Sequence, residues 1–152
     1  MRSPVVFQFA HAADEPSIHV LLKAADLPDE DIGEHLHNFL LARSGNDLVG
    51  CVGLEVYDNA VLLRSLAVAE SLRGGGLGTL LTNEILRLAE HLEAADVYLL
   101  TLTAEKFFEK FGFRQMPREK APEKVRKSKE FTTLCPATAV LMHKPLILSQ
   151  SR

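Results

Sequence analysis

The chain has 152 residues, of which 47% are hydrophobic and 24% charged, with a formal net charge of -3. That is an ordinary globular composition on a length suited to one compact core, so disorder and a second independent domain are not expected. The acidic balance supplies no basic field for nucleic acid, and that class of partner is set aside.

In chain order, Val5 to Phe9 predicts a first strand. Ile18, Leu21, Leu22 and Ala25 recur at helical spacing from about Glu15, and Leu27-Pro28 stops that helix. Asp29 to Leu36 predicts a second short helix, opened by carboxylates that suit a helix N-terminus. Phe39 to Ala42 and Leu48 to Tyr57 read as strands joined through the turn Ser44-Gly45-Asn46-Asp47, and Asp58-Asn59 turns the chain into a further strand, Ala60 to Val68. After a glycine-rich turn the pattern predicts a helix over Leu77 to Leu92, with Leu77, Leu81, Ile85, Leu88 and Leu92 as its buried stripe. Val97 to Leu102 reads as a central strand, Glu105 to Phe111 as a helix ended by Gly112, and Phe113 to Met116 as a strand. A charged insert, about Arg118 to Glu130, precedes a last strand over Thr138 to Met142. One α/β domain with a mixed sheet, spanning residues 1–152, is the expected organisation.

Two cysteines, Cys51 and Cys135, fall in apolar runs. They are too few for a disulfide framework and wrongly spaced for zinc, so a reduced, cytoplasmic setting is expected. Cys135, a lone cysteine before proline in an apolar strand, and the pair Phe107 and Phe111 read most simply as core. The six histidines show no ligand spacing beyond His35-x-His37, and no metal is expected. No window nears the ~18 to 20 apolar residues of a membrane span, and the first ten residues lack the apolar run of a signal peptide, so no membrane partner is expected.

A strand, a turn with four glycines and a helix start form a geometry that grips phosphate. Glycines admit close approach and positive φ, and the unpaired N–H groups of the helix start point at the anion. Such a turn also serves as a plain strand-to-helix connection. A P-loop would place Lys and then Ser or Thr after the second glycine, whereas Gly78 is followed by Thr79 and Leu80. A dinucleotide fingerprint would require a parallel βαβ context and an acidic residue ending the next strand, where Leu100-Thr101-Leu102 stands.

Arg73-Gly74-Gly75-Gly76-Leu77-Gly78 resembles the Arg/Gln-x-x-Gly-x-Gly/Ala signature of the GNAT superfamily of acyl-CoA N-acyltransferases. Leu66-Ala67-Val68 sits where that family's fourth strand ends, and Ala104-x-x-Phe107-Phe108-Glu109-Lys110-Phe111-Gly112-Phe113 is similar to its Ala-x-x-Phe-Tyr-x-x-x-Gly-Phe helix. The resemblance covers roughly residues 5–142. It implies a single α/β (α+β) domain with a mixed, mostly antiparallel sheet of six to seven strands flanked by helices. It also implies acetyl-CoA as co-substrate, held by Leu66, Ala67, Val68, the loop Arg73, Gly74, Gly75, Gly76, Leu77 and Gly78 with Thr79, and by Thr101 and Phe108. Gly53-Leu54-Glu55, Leu62 to Val68 and Glu130-Phe131-x-x-Leu134-Cys135-Pro136-Ala137-x-Ala139-Val140-x-Met142 are similar to GNAT proteins associated with arsenic-resistance operons.

The implied chemistry is acetyl transfer to a primary amine of a small molecule, arsenic-related or amino-acid-like. A non-catalytic acyl-CoA sensor and a protein N-acetyltransferase are the alternatives. Glu55 is the favoured general base, taking a proton directly or through water, although it could instead face solvent near Asp58-Asn59 or pair with Arg64. Phe108 stands where many members carry a tyrosine that protonates the thiolate, and Thr101 where an asparagine is common. Arg64, Ser65, Ser128 and Phe131 are the expected acceptor-side residues, with Arg64 suited to a bidentate anion contact. Arg114 to Glu130 forms a locally basic insert that is either a lure for anions or a solvated face. A homodimer is left open.

Overall fold

A computed structural model describes residues 3–146; the expected domain limits, Met1 and Arg152, lie outside them. The element order is β1 (Val5–Phe9), α1 (Glu15–Ala24), α2 (Ile32–His35), β2 (Phe39–Ser44), β3 (Asp47–Tyr57), β4 (Ala60–Val68), α3 (Leu77–His91), β5 (Asp96–Thr101), α4 (Glu105–Glu109), β6 (Arg114–Met116), α5 (Glu123–Arg126) and β7 (Val140–Pro145). Among the described residues the seven strands form one sheet in the order β1-β2-β3-β4-β5-β7-β6. Four pairings, β1–β2, β2–β3, β5–β7 and β6–β7, are antiparallel, and β4–β5 is parallel, so the fold is a mostly antiparallel α/β sheet flanked by helices. The parallel pair needs a long crossover, and α3 with its leading loop provides it. No helix among the described residues is long and apolar enough to cross a membrane.

Backbone contacts divide the chain into two units. The first holds the described residues up to Glu55 together with Arg64–Arg87. Ser44 pairs with Asp47, so Gly45-Asn46 makes the predicted turn, and Gly45 has the positive φ of 62° that the turn demands. Ile18, Leu21 and Leu22 of α1 pack in one cluster with Ile32, Phe39, Leu41, Cys51 and Ala67. α3 rests against β3 where Gly50 leaves room. A Cβ there would lie 2.8 Å from the Leu81 side chain. The buried face of α3 is Leu77, Leu81, Thr82, Ile85, Leu86 and Ala89. The predicted stripe is corrected at its end: Leu92 is 38% exposed because the helix stops at His91 and the chain turns away through Glu93, whose φ is 62°.

The second unit holds Val56–Leu63 and the described residues from Leu88 onward. Ala60, Val61 and Leu62 pair in parallel with Asp96, Val97 and Tyr98, and β7 pairs with the whole of β5. Ala60, Leu62, Tyr98, Ala121, Val125 and Leu141 form its apolar cluster. Burial here pushes the Tyr98 hydroxyl upward, and the nearby Asp96 charge adds to the effect. The last strand begins at Val140 rather than Thr138, since Ala139 N–H closes a turn onto the Pro136 carbonyl. Cys135 is likewise not in a strand: it follows a π-helical turn, Glu130–Leu134, and its thiol reaches Glu130 Oε1 at 3.4 Å. Phe108 and Phe113 are buried, with ring centroids 5.7 Å apart, while Phe107 and Phe111, expected in the core, are half-buried.

The first unit carries a pH-sensitive contact midway along α1. His19 Nδ1 lies 2.8 Å from Asp29 Oδ2 and its Nε2 lies 3.1 Å from Glu15 Oε2. The Asp29 hydrogen bond, followed by the Glu15 one, raises the His19 pKa above its ordinary value. The folded state therefore binds this proton more tightly, and its contribution is complete below pH ~6.5 and lost as pH rises through the folded value. His19→Gln should lower unfolding free energy by about 0.5–1 kcal/mol below pH 6 and by much less at pH 9, read by urea denaturation at both. An effect that grows with pH would contradict this assignment.

Candidate active site

β3 is buried continuously from Val49 to Glu55, and a carboxylate ending such a run needs a partner. Arg64 on β4 provides it. Glu55 and Arg64 side chains are both 0% exposed, and Arg64 Nη1 donates to Glu55 Oε2 at 2.8 Å and to Asp31 Oδ1 at 2.7 Å. Arg64 Nε donates to Ser65 Oγ at 2.9 Å. Consecutive strand residues normally point to opposite faces, but Ser65 has a φ of 60°, which breaks the alternation and lets its hydroxyl meet its neighbour's guanidinium. The Ser65 carbonyl accepts from the Cys51 thiol at 3.2 Å, and burial pushes that thiol up to about 12, so it stays protonated and inert. The alternative that Glu55 faces solvent is thereby overturned.

Phe39 floors this cluster. The Arg64 guanidinium sits 5.9 Å from its ring centroid, a weak cation–π contact. Gly53 is the register partner of Phe39, and a Cβ at Gly53 would fall 2.4 Å from the ring, so only glycine leaves the ring its place. Asp31 immediately precedes α2, and His35 is four residues further, so one helical turn sets both on the same face. His35 Nε2 lies 3.6 Å from Asp31 Oδ2 and 3.7 Å from Glu55 Oε1. Neither Asp31 nor His35 stands among the site residues expected from sequence. Asp31-x-x-x-His35 within the second predicted helix was the available signal, because that spacing stacks two polar groups on one face.

Beyond Arg64 the same strand leads to the glycine-rich turn. Leu66 and Val68 are half-buried and Ala67 between them is buried. A short 3-10 turn, Glu70–Leu72, follows, and Arg73 Nε folds back to the Val68 carbonyl at 3.0 Å. Gly74 and Gly76 take φ values of 85° and 92°. No atom lies within 4 Å of a Cβ built at either, so backbone conformation rather than crowding demands glycine. The helix starts at Leu77, and Leu80 N–H is bonded to the Gly76 carbonyl at 3.1 Å. The amides of Leu77, Gly78 and Thr79 therefore stand at the positive end of a 15-residue helix, beside three exposed glycines.

The remaining expected residues lie in the second unit. Thr101 Oγ1 accepts from the Ala104 amide at 2.9 Å, tying β5 to the start of α4. Phe108 is buried edge-on to Phe107 and Phe113. Ser128 is buried, donating to the Val125 carbonyl at 2.7 Å and accepting from the Phe131 amide at 3.2 Å. Phe131 carries the Arg118 guanidinium 4.5 Å from its ring centroid, while Arg118 also donates to the Ala139 and Phe131 carbonyls. The basic insert is thus partly consumed within the fold: Lys124 pairs with Asp58 and Lys127 with Glu123.

A β-strand that ends in a glycine-rich turn and a helix start, in a sheet of this order, defines an acyl-CoA transferase type of fold. The model of the acetyltransferase (GNAT) domain family matches residues 35–115, just over half of the chain, and the chain belongs to that family. It is similar to an uncharacterised N-acetyltransferase of Chlorobaculum tepidum, 31% identical over 97 residues, which is 63% of this chain and 62% of that protein. Among solved structures, N-acetylglutamate synthase from Neisseria gonorrhoeae, complexed with coenzyme A and N-acetylglutamate, superposes at a TM-score of 0.81. It has 21% identity, and the match covers 97% of this chain and 36% of that one. The protein Rv2747 of Mycobacterium tuberculosis, solved with CoA, superposes at 0.80 with 23% identity over 93% of this chain and 99% of its own. The chain thus spans under two thirds of the length of the first two.

Removing Arg64 would strand two buried carboxylates. Arg64→Met should cost about 3–5 kcal/mol in urea unfolding, and adding Glu55→Gln should return part of it. An unchanged denaturation midpoint for Arg64→Met would contradict the buried pairing.

Proposed function

We propose that the chain is an acetyl-CoA-dependent N-acetyltransferase that acts on a primary amine of a small molecule. The observation that carries this reading is the Arg73–Gly78 turn: a positive-φ glycine cradle at the start of α3, in a GNAT chain, suits the CoA pyrophosphate. Leu66, Ala67 and Val68 lead into that turn, and the backbone groups of Leu66 and Val68 are the proposed partners of the pantetheine arm and thioester carbonyl. Thr101 and Phe108 are its further proposed contacts.

The amine nitrogen attacks the thioester carbonyl carbon, oriented amides stabilise the tetrahedral oxyanion, and the C–S bond then breaks. Glu55 is the proposed acceptor of the ammonium proton. A thiol with a pKa of ~8.5 leaves tolerably as thiolate, so Phe108 need not halt transfer, and solvent supplies the last proton. Arg64 and Ser65, with Ser128 and Phe131, are proposed to border the acceptor. Two carboxylates share the one Arg64 guanidinium, and this local excess of negative charge favours a cationic amine. Amino acids and their arsonate analogues are the acceptors to test first, the latter because of the resemblance in Leu62–Val68 and Glu130–Met142. The thiols of Cys51 and Cys135 fit a reducing, cytoplasmic setting. A second reading, an acyl-CoA sensor without turnover, is favoured by Phe108 alone.

At saturating CoA the thermal midpoint should rise by roughly 5–10 °C, and Gly76→Val should abolish the rise while leaving the ligand-free midpoint within a few degrees. Glu55→Gln should keep the CoA-induced rise yet slow thiol release from acetyl-CoA with an amine by roughly 10²-fold or more. No CoA-induced rise in the parent chain would sink the proposal.

A further inference from the structure

The cluster around Arg64 brings a histidine beside its two carboxylates. Arg64 Nη1 takes one oxygen from each carboxylate, Asp31 Oδ1 and Glu55 Oε2. The second oxygens, Asp31 Oδ2 and Glu55 Oε1, both look towards His35 Nε2 at 3.6 and 3.7 Å, beyond the usual ~3.2 Å limit of an N–H···O hydrogen bond. The three donor atoms lie within 4.8 Å of one another. The Asp31 side chain is only 2% exposed, and its Oδ2 is buried without a hydrogen-bond donor. Native structures seldom tolerate a buried carboxylate oxygen in that state, which asks for a partner at this point.

His19 shows what a closed histidine–carboxylate contact looks like in the same chain. Each of its ring nitrogens meets its own carboxylate, at 2.8 and 3.1 Å. At His35 a single nitrogen instead faces two oxygens across a gap wider than a hydrogen bond. A tetrahedral ion with bonds of ~2.0–2.1 Å holds its ligands roughly 3.3–3.4 Å apart, so each carboxylate oxygen need close on His35 by only a few tenths of an ångström, and the two oxygens, within 4.8 Å of each other, would draw together between them. One imidazole with two carboxylates is a nitrogen–oxygen donor set suited to zinc-class divalent cations. Arg64 on the outer oxygens of both carboxylates fixes their orientation, as outer-shell groups do around a metal. With a neutral imidazole, Arg64, Asp31 and Glu55 sum to one negative charge among the buried Ile32, Phe39 and Leu54. The His35 side chain, 19% exposed, gives the cluster its outlet to solvent.

We propose that Asp31, His35 and Glu55 form a binding site for one zinc-class divalent cation, with a fourth position open to water or another ligand. The site runs against the expectation of no metal, which considered spacing between histidines. Its donors come from a helix start, the helix and a strand 20 residues on, and no short motif joins them. The inference stands independently of acetyl transfer. An ion on Glu55 Oε1 would take that atom from an amine, so occupancy and turnover would oppose each other.

The test is titration calorimetry of the full chain, stripped with chelator and free of CoA, with zinc chloride. One zinc per chain is expected to bind saturably, and His35→Ala and Asp31→Asn should each weaken it by at least about tenfold. Cobalt(II) should show intense tetrahedral visible bands that vanish in His35→Ala, while His19→Gln and Cys135→Ser keep both stoichiometry and spectrum. Unfolding midpoints without metal identify correctly folded variants, and two substitutions keep the test alive should one misfold. The absence of saturable binding, or binding that survives both ligand substitutions, would overturn the site.

Discussion

A guanidinium with no exposed surface, shared between two buried carboxylates, is the constraint on which this molecule's first unit depends. Glu55 can end a fully buried stretch of strand only because Arg64 meets it, and Asp31 can lie buried at the start of a four-residue helix for the same reason. The surroundings accommodate Arg64 in turn: Ser65 takes a positive φ to reach its Nε, and Gly53 gives up a side chain so that Phe39 can lie beneath it. Buried ion pairs are poor sources of net stability, because desolvation offsets much of their attraction. What this one supplies is placement, since a guanidinium that must satisfy two carboxylates leaves little freedom in where α2 and the β3–β4 pair carry their polar groups.

The glycine-rich turn works by the opposite logic. The anion binding proposed for it would rest on backbone amides, so the side chains matter mainly by their absence at Gly74 and Gly76. The side-chain cluster and the backbone cradle are joined by one strand. Arg64 and Val68 are four residues apart on β4, roughly 13 Å at strand rise, and Arg73 clasps the strand end from the loop side. A thioester arm laid along that span would bring its reactive end towards the acidic cluster and its phosphates towards the turn. This geometry is what links the two halves of the proposed transferase.

Much of this was legible in the sequence, and what was not has identifiable physical causes. The limits of β1 and β4 agree with the reading residue for residue, because alternating or continuous apolar runs bounded by Asp-Asn or charged residues leave little choice. The turn is equally plain, as positive φ leaves its mark as glycine. Leu92 was misplaced because periodicity cannot see that the helix ends one residue earlier. The last strand shifted from Thr138 to Val140 because Pro136 and Ala139 close a turn that its apolar pattern conceals. Asp31 and His35 escaped notice for a deeper reason. Their neighbours Glu55 and Arg64 are 20 or more positions away, and a short acidic helix looks solvated until the fold delivers an arginine to it. Ser128 shows the converse: a serine that suits a pocket by type has its hydroxyl engaged within its own turn.

The most direct measurement of the central claim follows the acetyl group itself. The chain would be incubated with acetyl-CoA carrying a ¹³C-labelled acetyl group and a set of primary amines, and both products read by mass spectrometry. The account predicts labelled N-acetyl product on at least one amine, equal in amount to the free CoA released. CoA that binds while the label remains wholly on the thioester, across amino acids, polyamines and arsonate analogues alike, would contradict it.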